Sequence, residues 1–242
     1  MQLIKASQKR SHGNNVFHID ILFPGTALGL ADTGYYTIGR IDHASFRPPG
    51  IVPMHPHRDD EILSYMRSGL QIHRDSTGQE IHISDTYMMM MNAGSGIQHE
   101  EIAEKEVEML QIFMRPFKDG LPPKIQFHQF PVSYSRDEWR LVAGSADEAP
   151  LKLRVETNIF DTRLSNGNII LPPAGPEESV HLLYCFNGSV TVGELTLQKG
   201  DSMVFDNEAV SITAAEESDL VLFKINKKAE YSVTGMYSGN QY

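Results

Sequence analysis

Two pairs of residues in this chain have the types and spacing to bind a metal ion. The stretch VPMHPHRDDEILSY, residues 52–65, holds His55 and His57 two positions apart. The stretch AGSGIQHEEI, residues 93–102, holds His99 and Glu101 at the same spacing, with Glu100 between them. On a β-strand, residues i and i+2 face one side. Two imidazoles so placed stand ~7 Å apart at the backbone and can converge on one ion at metal–nitrogen distances of ~2.0–2.1 Å. Glu100 then faces away, and Gly94, Ser95 and Gly96 allow a tight turn just before His99. This GxG is not a dinucleotide-binding loop, because no helix follows it. Three imidazoles and one carboxylate suit Fe(II), Ni(II), Mn(II), Cu(II) or Zn(II), with coordination positions left open for substrate or oxygen. A closed structural zinc site is the weaker reading, since such sites are often rich in cysteine.

Glu61 is a competing carboxylate. It lies four residues after His57 and shares its parity on a straight strand. It can equally hold a ligand imidazole through that ring's free N–H. The chain has ten histidines. His73 and His82 flank the turn RDSTGQ and are expected to be exposed hairpin residues. His12, His18, His43, His128 and His181 have no partner pattern and read as structural or surface groups.

The elements that must position these residues are strands. Most segments are short, rich in β-branched and aromatic residues, and punctuated by Gly, Asp, Asn or Pro. GYYTIGRI (34–41), EILSYM (61–66), LQIHRD (70–75), QEIHIS (79–84) and YMMMM (87–91) are examples, and SVTV (189–192), ELTLQ (194–198) and DLVLFKI (219–225) repeat the style. The pattern predicts an all-β chain of sandwiches or barrels. Met88–Met91 reads as a strand buried on both faces. A short helix is expected around 137–139. The strand–turn–strand run after Gly69 recurs after Gly188, which implies two similar β-domains, 1–132 and 133–242. Laying one over the other puts Ala174 and Pro176 where His55 and His57 stand, so the second domain is expected to be metal-free.

Composition excludes other classes. The 242 residues are 40% hydrophobic and 21% charged, as in a globular protein. A net charge of −10 argues against direct nucleic-acid binding and against an anionic membrane surface. The single cysteine, Cys185, lies in the apolar run HLLYCF and is expected to be buried; it excludes an intramolecular disulfide framework and fits a reducing cytoplasm. No apolar run approaches the ~20 residues that span a bilayer, and the polar N-terminus lacks a secretory signal.

The sequence HPHRDDEILSYMRSGLQIHRDSTG, followed by MNAGSGIQHEE and MLQIFMRPFKDGLPPKIQFHQF, resembles the pirin family of the cupin superfamily, in particular its bacterial quercetin 2,3-dioxygenases. The resemblance is specific over about residues 40–130. It implies a bicupin of two antiparallel β-barrel (jelly-roll) domains, with a metal, usually iron, in the first. The family's ligand pattern falls on His55, His57, His99 and Glu101. General cupins take their carboxylate from the place of Glu61, and this chain offers both. Many pirins have Gly-Phe after HPHR; here Asp59-Asp60 stands instead.

Two classes of function follow from the resemblance. As an enzyme, the chain opens a flavonol ring with O₂ and releases carbon monoxide, with Glu101 as the general base for the flavonol hydroxyl. As a regulator, it is a metal-dependent redox sensor that binds a protein partner, and Asp59-Asp60 belongs to that surface.

Overall fold

The computed structural model describes residues 1–207 and 210–241. Antiparallel strands dominate, and among the described residues the helices are one α-helical turn, Pro24–Ala27, and one 3-10 turn, Ala6–Gln8. None is long and apolar enough to cross a membrane. The helix expected around 137–139 is absent. Asp137 adopts a φ of 61° there, outside the helical region, and its carboxylate accepts the backbone N–H of Ser165 at 2.7 Å.

The chain divides into two compact units. The larger comprises residues 9–133, 151–155 and the segment from Glu230 on, and the smaller comprises 1–8, 134–150 and 156–229. A single cut after residue 132 therefore misplaces both ends of the chain. Gln2–Ile4 joins the smaller unit because it pairs with Ser202–Asp206, Leu3 opposite Met203. The segment after Glu230 joins the larger because it bonds there, as in the Ser232 N–H to Pro116 carbonyl contact at 2.9 Å.

In the larger unit a seven-stranded sheet runs in the order Lys124–Gln129, Tyr87–Asn92, Glu61–Ser68, Val107–Met114, Ile38–Phe46, Phe17–Leu22, Arg10–Gly13. A four-stranded sheet runs Ile51–His57, Ile97–Ala103, Leu70–Asp75, Glu80–Ser84. The two share one core, in which Ile62, Met66, Met89, Met91 and Phe113 of the first sheet cluster with Ile83, Ile97 and Ala103 of the second. Met88 to Met91 are all buried, so both faces of this strand are covered, with Met89 and Met91 on the face that joins the shared core. Each such side chain contributes ~1.5–3 kcal/mol by leaving water.

In the smaller unit Gln2–Ile4, Ser202–Asp206, Ser179–Asn187, Ser218–Asn226, Thr157–Leu164 and Arg140–Gly144 are successive neighbours in one sheet. Ile169–Ile170, Ile212–Ala214, Ser189–Val192 and Leu195–Gln198 form a second. Cys185 is fully buried in the core of this unit. Ala174 and Pro176 lie in the loop before Ser179–Asn187.

Candidate metal centre

Strand Ile97–Ala103 is the middle of the site. It pairs on one side with Ile51–His57, placing His99 opposite His55 and Ile97 opposite His57. On the other side it pairs with Leu70–Asp75, placing His99 opposite Asp75 and Glu101 opposite His73. Its residues alternate strictly, so Ile97, His99, Glu101 and Ala103 are buried while Gln98 is exposed. Glu100 faces the other way and accepts a bond from Arg74 at 3.2 Å. The turn that delivers this strand needs a glycine. Gly94 has a φ of 50°, and a Cβ there would lie 2.0 Å from the Leu121 carbonyl oxygen.

The ligand atoms of His55, His57 and His99 lie within 4.8 Å of one another. His99 Nε2 is 3.0 Å from His57 Nε2 and 3.1 Å from His55 Nε2. Two nitrogens on neighbouring corners of an octahedral ion, each at ~2.1 Å, stand ~3 Å apart. For His55 and His99 the second ring nitrogens fix where the protons sit. His55 Nδ1 is 2.9 Å from the Pro53 carbonyl, an acceptor only, so Nδ1 carries the hydrogen and Nε2 keeps its lone pair. His99 Nδ1 is 3.3 Å from His73 Nδ1, and His73 Nε2 is 3.0 Å from the Asp75 carboxylate. Asp75 takes the His73 Nε2 hydrogen, His73 Nδ1 takes the His99 Nδ1 hydrogen, and His99 Nε2 is left as a bare donor. Facing lone pairs at such distances repel one another unless a cation lies between them. The residues present therefore fit a divalent metal.

Electrostatics agree. Burial pushes the His99 pKa well below the ordinary histidine value, and the neighbouring imidazoles push it further. Burial also lowers His55, against the opposing Pro53 bond. Neutral imidazole is the form that binds metal. Asp75 feels burial that would raise its pKa, yet hydrogen bonds from Thr77 and then His73 hold it below the usual carboxylate range.

Glu101 is buried on the same face. Gln71 and Gln111 donate to its Oε1 at 3.2 and 3.3 Å. Burial raises its pKa to about 7, against those two bonds. It lines one cavity of 390 Å³ with His55 and His57, but is not among the three groups whose ligand atoms all lie within 4.8 Å. Phe17, Phe46, Phe113 and Tyr237 give that cavity its aromatic walls.

Three expectations change. Glu61 is fully buried but points elsewhere: Arg154 donates to it through Nε at 2.7 Å and its backbone N–H at 3.0 Å, and Asn92 adds a third bond. It neither joins the imidazoles nor holds one. His73 is not an exposed hairpin residue but is fully buried behind His99, while its neighbour His82 is exposed and paired with Glu104 at 3.0 Å. The missed signal is Gln71, His73 and Asp75, three polar residues on one face of a strand, all buried. Asp59 and Asp60 are also buried, at 6% and 0% exposure, so they offer no docking surface.

Residues 35–114 match the family model described as Pirin. A pirin-like protein from Caulobacter vibrioides is 31% identical over 175 residues, spanning 70% of this chain and 75% of that protein. The chain belongs to the pirin family. A further relative, the quercetin 2,3-dioxygenase of Escherichia coli K12, is 26% identical over 175 residues, spanning 71% of this chain and 74% of its own. Among solved structures, a bacterial pirin from Escherichia coli in complex with nickel(II) has the same fold, with a TM-score of 0.79 at 22% identity over 93% of this chain and 98% of that one.

Proposed function

We propose that this pirin-family protein is a metal-dependent dioxygenase that opens the ring of quercetin-like flavonols with O₂ and releases carbon monoxide. The observation that carries the reading is the convergence of three imidazole nitrogens, two of them on rings that line an aromatic-walled cavity shared with a buried carboxylate. Relatives named quercetin 2,3-dioxygenase support the substrate class.

His55, His57 and His99 would hold the metal, with Glu101 as the carboxylate of the set. Fe(II) is the first choice, and Ni(II), Mn(II), Cu(II) or Zn(II) suit the same donors. When bound, the metal supplies a Lewis acid for the flavonol 3-hydroxyl and a centre at which O₂ chemistry becomes possible. The protein does the rest. Phe113 and Tyr237 bind the flat rings by stacking. The Gln71 and Gln111 amides orient the Glu101 carboxylate, which takes the 3-hydroxyl proton. The His73–Asp75 pair keeps His99 in the tautomer that presents Nε2. Burial of the site keeps water from the reacting carbons.

The test is O₂ uptake and carbon monoxide release when Fe(II)-loaded protein meets quercetin, with His57→Ala as the control. Matched O₂ loss and carbon monoxide release, absent in the control, is the expected result. No turnover with metal verifiably bound would refute the reading.

A further inference from the structure

The acidic pair after HPHR has a use that sequence did not show. Asp60 is fully buried, and its carboxylate receives the end of the chain: the Tyr237 N–H at 3.1 Å, the Ser238 N–H at 2.8 Å and the Ser238 hydroxyl at 2.7 Å. The Met236 N–H adds a bond to the Arg58 carbonyl at 3.0 Å. From the opposite side, fully buried Arg115 donates through Nε to the Ser238 carbonyl at 2.8 Å. Gly39 lets the backbones meet, since a Cβ there would lie 2.1 Å from the Ser238 carbonyl oxygen. Residues 235–239 are thus strapped onto the metal unit by charge-assisted bonds, the stronger class of hydrogen bond.

The strap delivers one side chain to the site. The Tyr237 ring lies 5.0 Å from the His57 ring and 5.4 Å from Phe113, centroid to centroid. The Arg40 guanidinium lies 5.3 Å from both the Tyr237 and Phe113 rings. Tyr237 borders the same cavity as His55, His57 and Glu101. A side chain from the end of the chain thus closes a wall around residues from its first half.

We propose that Tyr237 is a specificity-determining residue that selects a planar aromatic substrate at the metal, and that Asp60 is the positioning residue that holds it there. The assignment rests on the flavonol reading of the same site. The Tyr237 and Phe113 rings lie against each other and beside the His57 ring, so a flat ring system entering the cavity stacks against them over more area than a ligand reduced to its metal-binding head.

Two probes separate those cases. Quercetin and maltol share the 3-hydroxy-4-pyranone head, and maltol lacks the other rings. Their binding to Ni(II)-loaded protein is measured by titration calorimetry without O₂, alongside Ni(II) affinity. Tyr237→Ala should weaken quercetin about tenfold, in line with the loss of one aromatic contact and its buried area. Maltol and Ni(II) should stay within about twofold, and Tyr237→Phe should restore quercetin. Asp60→Ala should lower the quercetin-to-maltol ratio by the same factor, with no further drop when combined with Tyr237→Ala. Tyr237→Ala and Tyr237→Phe decide the matter even if Asp60→Ala fails to fold. Equal losses for both probes, a matching loss of Ni(II), or no loss of quercetin overturns the assignment. Failure of the wild-type protein to bind either probe overturns the flavonol reading, and that result needs no variant.

Discussion

Replacing His73 with Leu tests how the site prepares its ligands. The substitution removes the only acceptor that His99 Nδ1 has in this network, at 3.3 Å, and leaves that N–H buried. An unpaired buried donor costs ~1–3 kcal/mol. The alternative is for His99 to move its hydrogen to Nε2, where it blocks the metal. Metal-free His99 escapes the first cost by the second route and must bear it again on ligation, because only the tautomer with a bare Nε2 can bind metal. At 1.4 kcal/mol per tenfold, Ni(II) or Zn(II) affinity should fall by a factor of about 5 to 150, which overlaps the 10- to 100-fold typical of the groups behind a ligand histidine. The assay is competition against a chromophoric chelator near neutral pH. His73→Gln, whose amide oxygen can accept the same hydrogen, should recover most of the affinity. The ¹⁵N shifts of the metal-free wild type should show His99 protonated at Nδ1. A folded His73→Leu protein with affinity within about twofold of wild type, or a wild-type His99 protonated at Nε2, would refute the tautomer reasoning.

Glu101→Gln should keep metal bound through the three imidazoles while turnover of quercetin falls at least about 100-fold, the lower range for losing a general base. Full turnover by that variant would show that the proton goes elsewhere. Arg154→Ala strands the fully buried Glu61 carboxylate without its cation. Because the Arg154 side chain is 21% exposed, the lower end of the range for a broken buried pair applies, about 3 kcal/mol of destabilisation in equilibrium urea unfolding. A loss below about 1 kcal/mol would mean that Asn92 and the backbone N–H of Arg154 suffice to hold Glu61.

Much was legible along the chain because it depends on neighbours two residues apart. Period-two alternation marked the strands, and it set His99 and Glu101 on one face and Glu100 on the other. The run of four methionines read as a doubly covered strand for the same reason. The pirin resemblance rested largely on the stretch that the family model also matches, residues 35–114, although its last segment runs beyond it. His73 was misread although its own strand carried the clue: proximity to a turn suggested exposure, and the polar alternation with Gln71 and Asp75 went unused.

What only tertiary structure decided are the pairings between distant residues. Parity left Glu61 as a competitor to Glu101. Glu61 is withdrawn by Arg154, 93 residues away, whose guanidinium no local pattern places beside it. Asp60 is claimed by Ser238, 178 residues away, which turns an apparent surface charge into the anchor of a pocket wall. The limits of the two units depend in the same way on where each end of the chain finds its hydrogen bonds. A side chain's direction along a strand is set by local covalent geometry, so it can be read from sequence. Its partner across the fold is set by which buried charge most needs a counter-charge once the chain has closed around it, and that appears only in three dimensions.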